Sequence, residues 1–417
     1  MAPGVNGVRG KTPLSTIKKV LTEMMKDKSN KQPETLLTHS GRDPQAHFGA
    51  VNTPIFRAST ILQASMAEYK RPKGQREQRY GRRGTPTTFT LEDVIADVEG
   101  GAGCVIASSG LNAIALALLS QTKAGDHVLM ADCVYGPARN FANKILARFG
   151  VTTTFFDPAI GASIDGMFQD NTTVVYMEAP GSQTFEMCDV PAIAAVARKR
   201  GAISMTDNTW GTPLFFSPFA HGCDISIHAA TKYIVGHSDA MLGAVTYNEA
   251  TEESVRDMAG TLGVFAGPDD VYLGTRGMRT LAVRLRQHEE SALAMADWLW
   301  NRPEVDRVLY PPHPKDAGHA LWKRDFTGGC GLMGFVLKEA TDTGLAAMLD
   351  GLELYGMGAS WGGFESLILP ADPSANRTAT RWNVPGPLIR IHIGLEHIDD
   401  LIADIDAGFT RLARASN

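Results

Sequence analysis

The chain has 417 residues, is 44% hydrophobic and 20% charged, and carries a formal net charge of -5. That length exceeds what one hydrophobic core normally serves and predicts two domains. The mild acidity and the lack of a long basic run exclude an obvious nucleic-acid or anionic-membrane partner, and no apolar stretch is long enough to span a bilayer.

Residues 1–31 have no apolar h-region, so they are not a secretory signal, and Glu23 and Asp27 interrupt the basic character of a transit peptide. They predict a mobile or weakly helical arm, with Met24 and Met25 as packing residues. The chain stays irregular and polar up to Arg83. TPTTFTLEDVIADVEGG (85–101) then predicts a helix, with a Thr/Pro start, apolar Leu91, Val94, Ile95 and Val98, and a glycine stop. LNAIALALLS (111–120) predicts a buried helix and GPARNFANKILARFG (136–150) another. DVPAIAAVARKRG (189–201) has the expected helix polarity, with Asp and Pro first and basic residues and glycine last.

Short apolar or β-branched runs between them predict strands: DHVLMAD (126–132), VTTTFFD (151–157), TVVYMEAP (173–180), AISMTDNTW (202–210), ISIHAATK (225–232) and GAVTY (243–247). This alternation argues for an α/β fold with a mostly parallel sheet. After about Thr280 the pattern changes. LAVRLRQHEESALAMADWLWN reads as a long amphipathic helix, GLMGFVLK and LIRIHIGLE as strands, and HIDDLIADIDAGFTRLARA as a closing helix with Ile398, Leu401, Ile402, Ile405, Phe409 and Leu412 on one face. The expected organisation is an arm (1–83), a large α/β domain (84–280) and a smaller C-terminal α+β domain (281–417).

In parallel sheets ligands sit beyond the carboxyl ends of the strands. Four such ends stand out. Gly110 in ASSGLNAI opens a helix whose N–H groups can bind phosphate. Tyr135 in ADCVYGP can stack on a flat ring. Asp207 in MTDNTW is a carboxylate at the end of an apolar strand, and Lys232 in ATKYIVGHSD is an amine among small residues. Each alone also reads as an ordinary cap or packed side chain. Together they match pyridoxal phosphate (PLP), which needs a lysine for its aldehyde, an acid for its ring nitrogen and a phosphate cradle.

No Cys, Asp or Glu spacing makes His228 and His237 metal ligands; His237, Ser238 and Asp239 are expected to support the lysine loop. Asp269 and Asp270 read as a helix N-cap and first-turn residue. Cys104, Cys133, Cys188, Cys223 and Cys330 are scattered, form no C-x-x-C pair, and read as small buried residues in a reducing cytoplasm.

YGRRGTPT, SSGLNAI, DNTW, ATKYIVGHSD, GASWGGFESL and LIRIHIGLE make the chain resemble the Cys/Met-metabolism PLP enzymes, the cystathionine lyase and synthase group, from about Thr35 to the last helix. The resemblance implies a fold type I PLP enzyme, a homotetramer built as a dimer of dimers, acting on a small amino acid in the cytoplasm. It implies Lys232 as Schiff-base lysine and proton shuttle, Asp207 on the pyridine nitrogen and Tyr135 on the ring. Gly110 and Leu111 would offer backbone N–H groups to the phosphate, Thr231 a hydroxyl, and Tyr80 and Arg82 would reach the neighbouring subunit's phosphate. Arg390 would clamp the substrate α-carboxylate, with Ser360 and Trp361 lining the same pocket and Ser360 positioning Lys232 or the carboxylate. DNTW and SWGG resemble the members that break cystathionine by β-elimination. The rival expectations are γ-elimination, a β-lyase of broad cysteine S-conjugate range, and a non-catalytic regulator. Three positions depart from the family pattern: Ala229 in place of a serine, Leu111 in place of a methionine, and no tyrosine near Gly260.

Overall fold

The structure is a computed structural model that describes residues 31–72, 74 and 76–416. The arm up to residue 30 therefore lies outside the described residues. From Lys31 to Arg83 the chain carries short helices only, at Pro33–His39 and Met66–Lys70, with single turns at Gln45–His47 and Gly81–Arg83.

Seven strands build the first sheet: β1 (Gly103–Ala107), β2 (His127–Ala131), β3 (Thr152–Phe156), β4 (Thr172–Glu178), β5 (Ile203–Asp207), β6 (Ile225–His228) and β7 (Gly243–Tyr247). Their order is β1-β7-β6-β5-β4-β2-β3. Pairs β2–β3, β2–β4, β4–β5 and β5–β6 are parallel, while β7 runs against both β1 and β6. Strands β1, β2, β6 and β7 are buried along their whole length, polar His127, Ser226, His228 and Thr246 included. The second sheet, β10-β11-β9-β8, is wholly antiparallel and uses β8 (Val305–Leu309), β9 (Leu332–Leu337), β10 (Leu367–Ala371) and β11 (Leu388–His392).

Local chemistry sets most helix limits. The Pro86–Glu99 helix starts at Thr85, whose N–H donates to the Thr88 hydroxyl at 3.4 Å, and stops at left-handed Gly100, φ 84°. Asp189 caps Val190–Arg200, which ends at left-handed Gly201. The 136–150 segment departs from one uniform helix: it is α-helical over Gly136–Phe141, widens into a π turn over Ala142–Leu146, and tightens before Gly150. The long helix expected from about residue 281 begins at Pro268 and runs to Trp300, so position 280 lies inside it. Gly267 occupies the N-cap position expected for Asp269; Asp269 lies in the first turn and accepts Arg57 Nε at 3.0 Å. The closing helix spans Ile398–Ser416. No described helix is long and apolar enough to cross a membrane.

Candidate active site

The carboxyl ends of the parallel strands converge on one place. After β1, Ser109 caps the Gly110–Gln121 helix: its hydroxyl accepts Asn112 N–H at 3.2 Å, and its carbonyl accepts Ala113 N–H. The first turn of any helix leaves N–H groups without intrahelical partners, and here those of Gly110 and Leu111 remain. Gly110 lies against Ala229; a Cβ on Gly110 would sit 2.5 Å from the Ala229 methyl. The small residue at 229 thus serves close packing of the lysine loop on the helix start.

After β5, Asp207 is buried, and its Oδ1 accepts Thr209 N–H at 3.0 Å and the Thr209 hydroxyl at 2.5 Å. The same hydroxyl accepts Ala229 N–H at 2.9 Å, tying the aspartate turn to the lysine loop. Burial raises the Asp207 carboxyl above its ordinary range, against the Thr209 bonds and the nearby His228 ring. Glu178 ends β4 directly opposite Asp207 in register. Burial and the Asp207 charge push Glu178 well up, and its Oε2 accepts Tyr135 N–H at 2.7 Å. The Tyr135 side chain, 44% exposed, therefore stands on a backbone fixed from beneath.

After β6, Thr231 closes the base of the lysine loop. Its N–H and its hydroxyl both donate to the Leu242 carbonyl at 3.0 Å, and its hydroxyl accepts Leu242 N–H at 2.9 Å. Lys232 Nζ donates to Ser360 Oγ at 2.8 Å and lies 5.5 Å from the centre of the Trp361 indole. Burial, reinforced by the Arg390 charge, lowers the Lys232 amine to about 8. Arg390, on the central strand β11, donates to the Ser360 and Gly358 carbonyls at 3.3 and 3.5 Å. Lys232, Ser360, Trp361 and Arg390 thus come together across the two sheets. The DNTW tryptophan does not join them: Trp210 is buried on Tyr310 and Phe326, and its Nε1 donates to Leu332 O at 3.0 Å.

Tyr80 and Arg82 stand apart. Tyr80 is 47% exposed and pairs with Thr60, and Arg82 Nη1 donates to Gly260 O at 2.9 Å. Within this chain, among the described residues, no hydrogen bond links either to Lys232, Asp207 or Tyr135. Gly260 lies against the Arg83 guanidinium, 2.0 Å from where a Cβ would begin.

Beneath the strand ends lies a buried polar layer that sequence patterning did not single out. Thr206, Ser226, Thr246 and Cys104 form one row across β5, β6, β7 and β1. Glu99, at the end of its helix, caps that layer: its Oε1 accepts Ser226 Oγ at 2.5 Å and Asn208 Nδ2 at 2.8 Å, and lies 2.7 Å from His228 Nε2. His237 Nδ1 contacts Val235 O at 2.8 Å, inside the lysine loop. All five cysteines are buried and free.

These groups fit a phosphate-bearing pyridine aldehyde. The helix start offers N–H groups suited to a dianion. The half-buried amine is shifted towards its reactive neutral form, and the buried Asp207 carboxyl, raised by burial, forms no ion pair among the described residues.

A model of the Cys/Met metabolism PLP-dependent enzymes matches residues 34–410. Over 92% of its length the chain is 47% identical to the cystathionine β-lyase MetC of Escherichia coli (strain K12), covering 100% of that protein. Among solved structures, metB from Corynebacterium glutamicum superposes with a TM-score of 0.85 at 30% identity, over 92% of this chain and 99% of that one. The cystathionine γ-lyase from Lactobacillus plantarum superposes at 0.83 with 29% identity, over 92% and 100%.

Proposed function

The chain belongs to the Cys/Met metabolism PLP-dependent enzymes, and from that premise we propose that it is a carbon–sulfur β-lyase that converts cystathionine to homocysteine, pyruvate and ammonia. The observation that carries this reading is the Lys232 amine, half-buried, held by Ser360 at 2.8 Å and shifted to about 8. The β-specific reading rests on the 47% identity with the Escherichia coli β-lyase.

When bound, PLP supplies an electron sink that stabilises negative charge developed at the Cα of an amino acid. The residues proposed to hold it are Lys232 for the aldehyde, Asp207 for the ring nitrogen, Tyr135 for the ring face, and Gly110, Leu111 and Thr231 for the phosphate. For Thr231 this requires its hydroxyl hydrogen to turn from Leu242 O, while Leu242 N–H keeps the oxygen in place. Asp207 would pair with the ring nitrogen, whose positive charge would offset the burial that penalises the carboxylate.

Arg390 binds the substrate α-carboxylate with a planar donor pair, and the Ser360 and Gly358 carbonyls aim its guanidinium. Lys232, once free, takes the Cα proton, since an amine near 8 has an appreciable neutral fraction at physiological pH. The Cβ–S bond then breaks, the Lys232 ammonium returns its proton to the departing sulfur to give the thiol, and water hydrolyses the remaining three-carbon fragment to pyruvate and ammonia. Ser360 keeps Lys232 Nζ directed into the pocket, and the Trp361 indole forms an apolar wall.

We further propose a homotetramer built from dimers, in which Tyr80 and Arg82 serve the partner's phosphate. Exposed apolar side chains on the same segment, Phe48, Val51, Leu62, Met66 and Tyr69, support an assembled surface there.

Two measurements test the reading. With cystathionine the purified protein should release pyruvate and homocysteine; release of 2-oxobutyrate and cysteine would sink β-elimination in favour of γ-elimination. Arg390→Ala should raise KM about 10–100-fold, the loss of a charged hydrogen-bonding pair worth about 1.5–3 kcal/mol, while retaining bound cofactor. Unchanged KM would remove Arg390 from the carboxylate site.

A further inference from the structure

We propose that Asp132 is a positioning residue for the amino-acid substrate, setting the separation of Tyr135 and Arg390 by fastening the Arg377–Thr380 segment to the loop after β2. Asp132 follows β2 directly and is buried. Its carboxylate gathers one stretch of distant chain. Oδ1 accepts Thr378 N–H at 3.1 Å and both Arg139 Nη groups at 3.0 Å. Oδ2 accepts Ala379 N–H at 3.0 Å, Thr380 N–H at 2.8 Å and the Thr380 hydroxyl at 2.8 Å. Three successive backbone N–H groups facing one anion form a concave nest, here filled by a side chain of the same protein.

The counter-charge is equally fixed. The Arg139 guanidinium lies 3.5 Å from the centre of the Phe155 ring and also donates to Thr378 Oγ1 at 2.5 Å. Burial works against ionisation of Asp132. The Thr378 and Thr380 donors, with Arg139, outweigh it and hold the carboxyl below its ordinary range. Arg377 is anchored in the same direction, to Glu186 and, at 2.6 Å, to Thr184 Oγ1.

The position of this knot gives it a role in the reaction. Asp132 stands three residues before Tyr135, and Thr380 ten before Arg390. Between β10 and β11 the chain has only one helical turn, Ser374–Asn376, so no regular structure sets its course. Asn376 comes to rest over the turn after Tyr135, with its Nδ2 3.8 Å from where a Gly136 side chain would begin. Tyr135 and Arg390 are near enough for each to perturb the other's charge. The knot therefore joins the loop that covers the ring to the approach to the strand that holds the carboxylate clamp. This inference rests on the assignment of Arg390 to the substrate carboxylate.

Asp132→Asn is the direct test, because the amide turns two donors of its own towards the N–H nest. KM for cystathionine should rise about 10–100-fold with kcat changed less than about threefold, the scale expected when binding groups are misplaced. Cofactor absorbance per subunit should be retained, and amide hydrogen exchange should quicken in residues 376–382. The double variant Thr378→Val, Thr380→Val removes the two hydroxyls, and with them one acceptor each of Arg139 and Arg377, but keeps the backbone N–H nest and the Asp132–Arg139 pair. It should shift KM and exchange in the same direction by less, and it decides the matter if Asp132→Asn does not fold. Faster exchange with KM within twofold of the parent overturns the proposal. So does an equal loss of kcat, cofactor and melting temperature without a KM effect, the mark of a merely structural residue. If Arg390→Ala raises KM and Asp132→Asn does not, only the role of Asp132 fails. If Arg390→Ala leaves KM unchanged, the substrate-clamp reading fails and takes this proposal with it.

Discussion

Replacing Lys232 with methionine is expected to yield a protein that turns over about 10²–10⁴-fold more slowly yet, stripped of cofactor, is more stable than its parent. Methionine keeps the length and packing of the lysine stem and removes the charge. In the parent the amine titrates at about 8 because burial and the Arg390 charge oppose the ammonium. Lys232 is thus a base whose folded value lies below its unfolded value of 10.5. Below about pH 8 the folded chain carries a buried cation, and the penalty is full. It fades as pH rises from about 8 to 10.5, where the unfolded chain also loses its proton. At about 1.4 kcal/mol per pH unit the ceiling is near 3 kcal/mol. The Ser360 bond and the Trp361 face offset part of it, leaving a gain on the order of 1–3 kcal/mol. Urea midpoints of cofactor-free parent and variant at pH 7 and pH 10.5 check this. A gap that is absent at pH 7, or that widens at high pH, contradicts the placement of the amine. The cofactor's yellow absorbance should be lost in the variant; a persisting band would mean that another residue anchors the aldehyde.

The largest stability loss is expected from Glu99→Ala. One buried oxygen collects Ser226 at 2.5 Å, His228 at 2.7 Å and Asn208 at 2.8 Å. Burial alone would raise the Glu99 carboxyl, but the His228 ring and these donors outweigh it and hold it below 4.5. Alanine strips the Ser226 hydroxyl and the His228 ring of this buried partner, while Asn208 Nδ2 keeps the Thr212 and Phe216 carbonyls at 3.1 and 2.9 Å; breaking such a buried charged cluster costs about 3–5 kcal/mol. Because the folded value is depressed, the Glu99 contribution is fully present above about pH 4.5 and is lost as pH falls through the folded value. Denaturation midpoints should therefore differ most near neutrality and converge in acid. The damage should also reach the chemistry, since Asn208 adjoins Asp207 and His228 adjoins Ala229. A variant with parental stability and cofactor affinity would show that this layer is dispensable.

Much of this was readable from the sequence, for identifiable reasons. Strands β2 to β7 are apolar or β-branched runs set between helix signals, and their ends carry Tyr135, Asp207 and Lys232. β1 escaped notice because GCVIA is only five residues long and follows a helix stop directly. The first turns of the Pro268–Trp300 helix were hidden by Gly274 and Gly277, which weaken helix propensity. Gly277 stands there because a side chain would strike the Ile234 carbonyl at 2.0 Å, beside the lysine loop. Glu99, Asp132 and Glu178 were invisible as a group for a different reason. Their partners lie 129, 246 and 43 residues away in the chain, so no local pattern marks them. The site's directly reacting groups left local motifs, whereas the groups that hold them in place show only when the chain is folded.

The closed base of the Lys232 loop bears on time as well as place. Thr231 and Leu242 lock the two ends of the loop together, and Gly236 N–H returns to the Lys232 carbonyl at 2.7 Å. The backbone around the lysine cannot swing without breaking several bonds at once. A residue that must engage, release and engage again does so by turning about its own four methylenes. Such rotations take picoseconds to nanoseconds in exposed side chains, and a hinging loop takes microseconds or longer. On each turnover the lysine is ready long before any of the slower steps of binding, bond breaking or release has run its course.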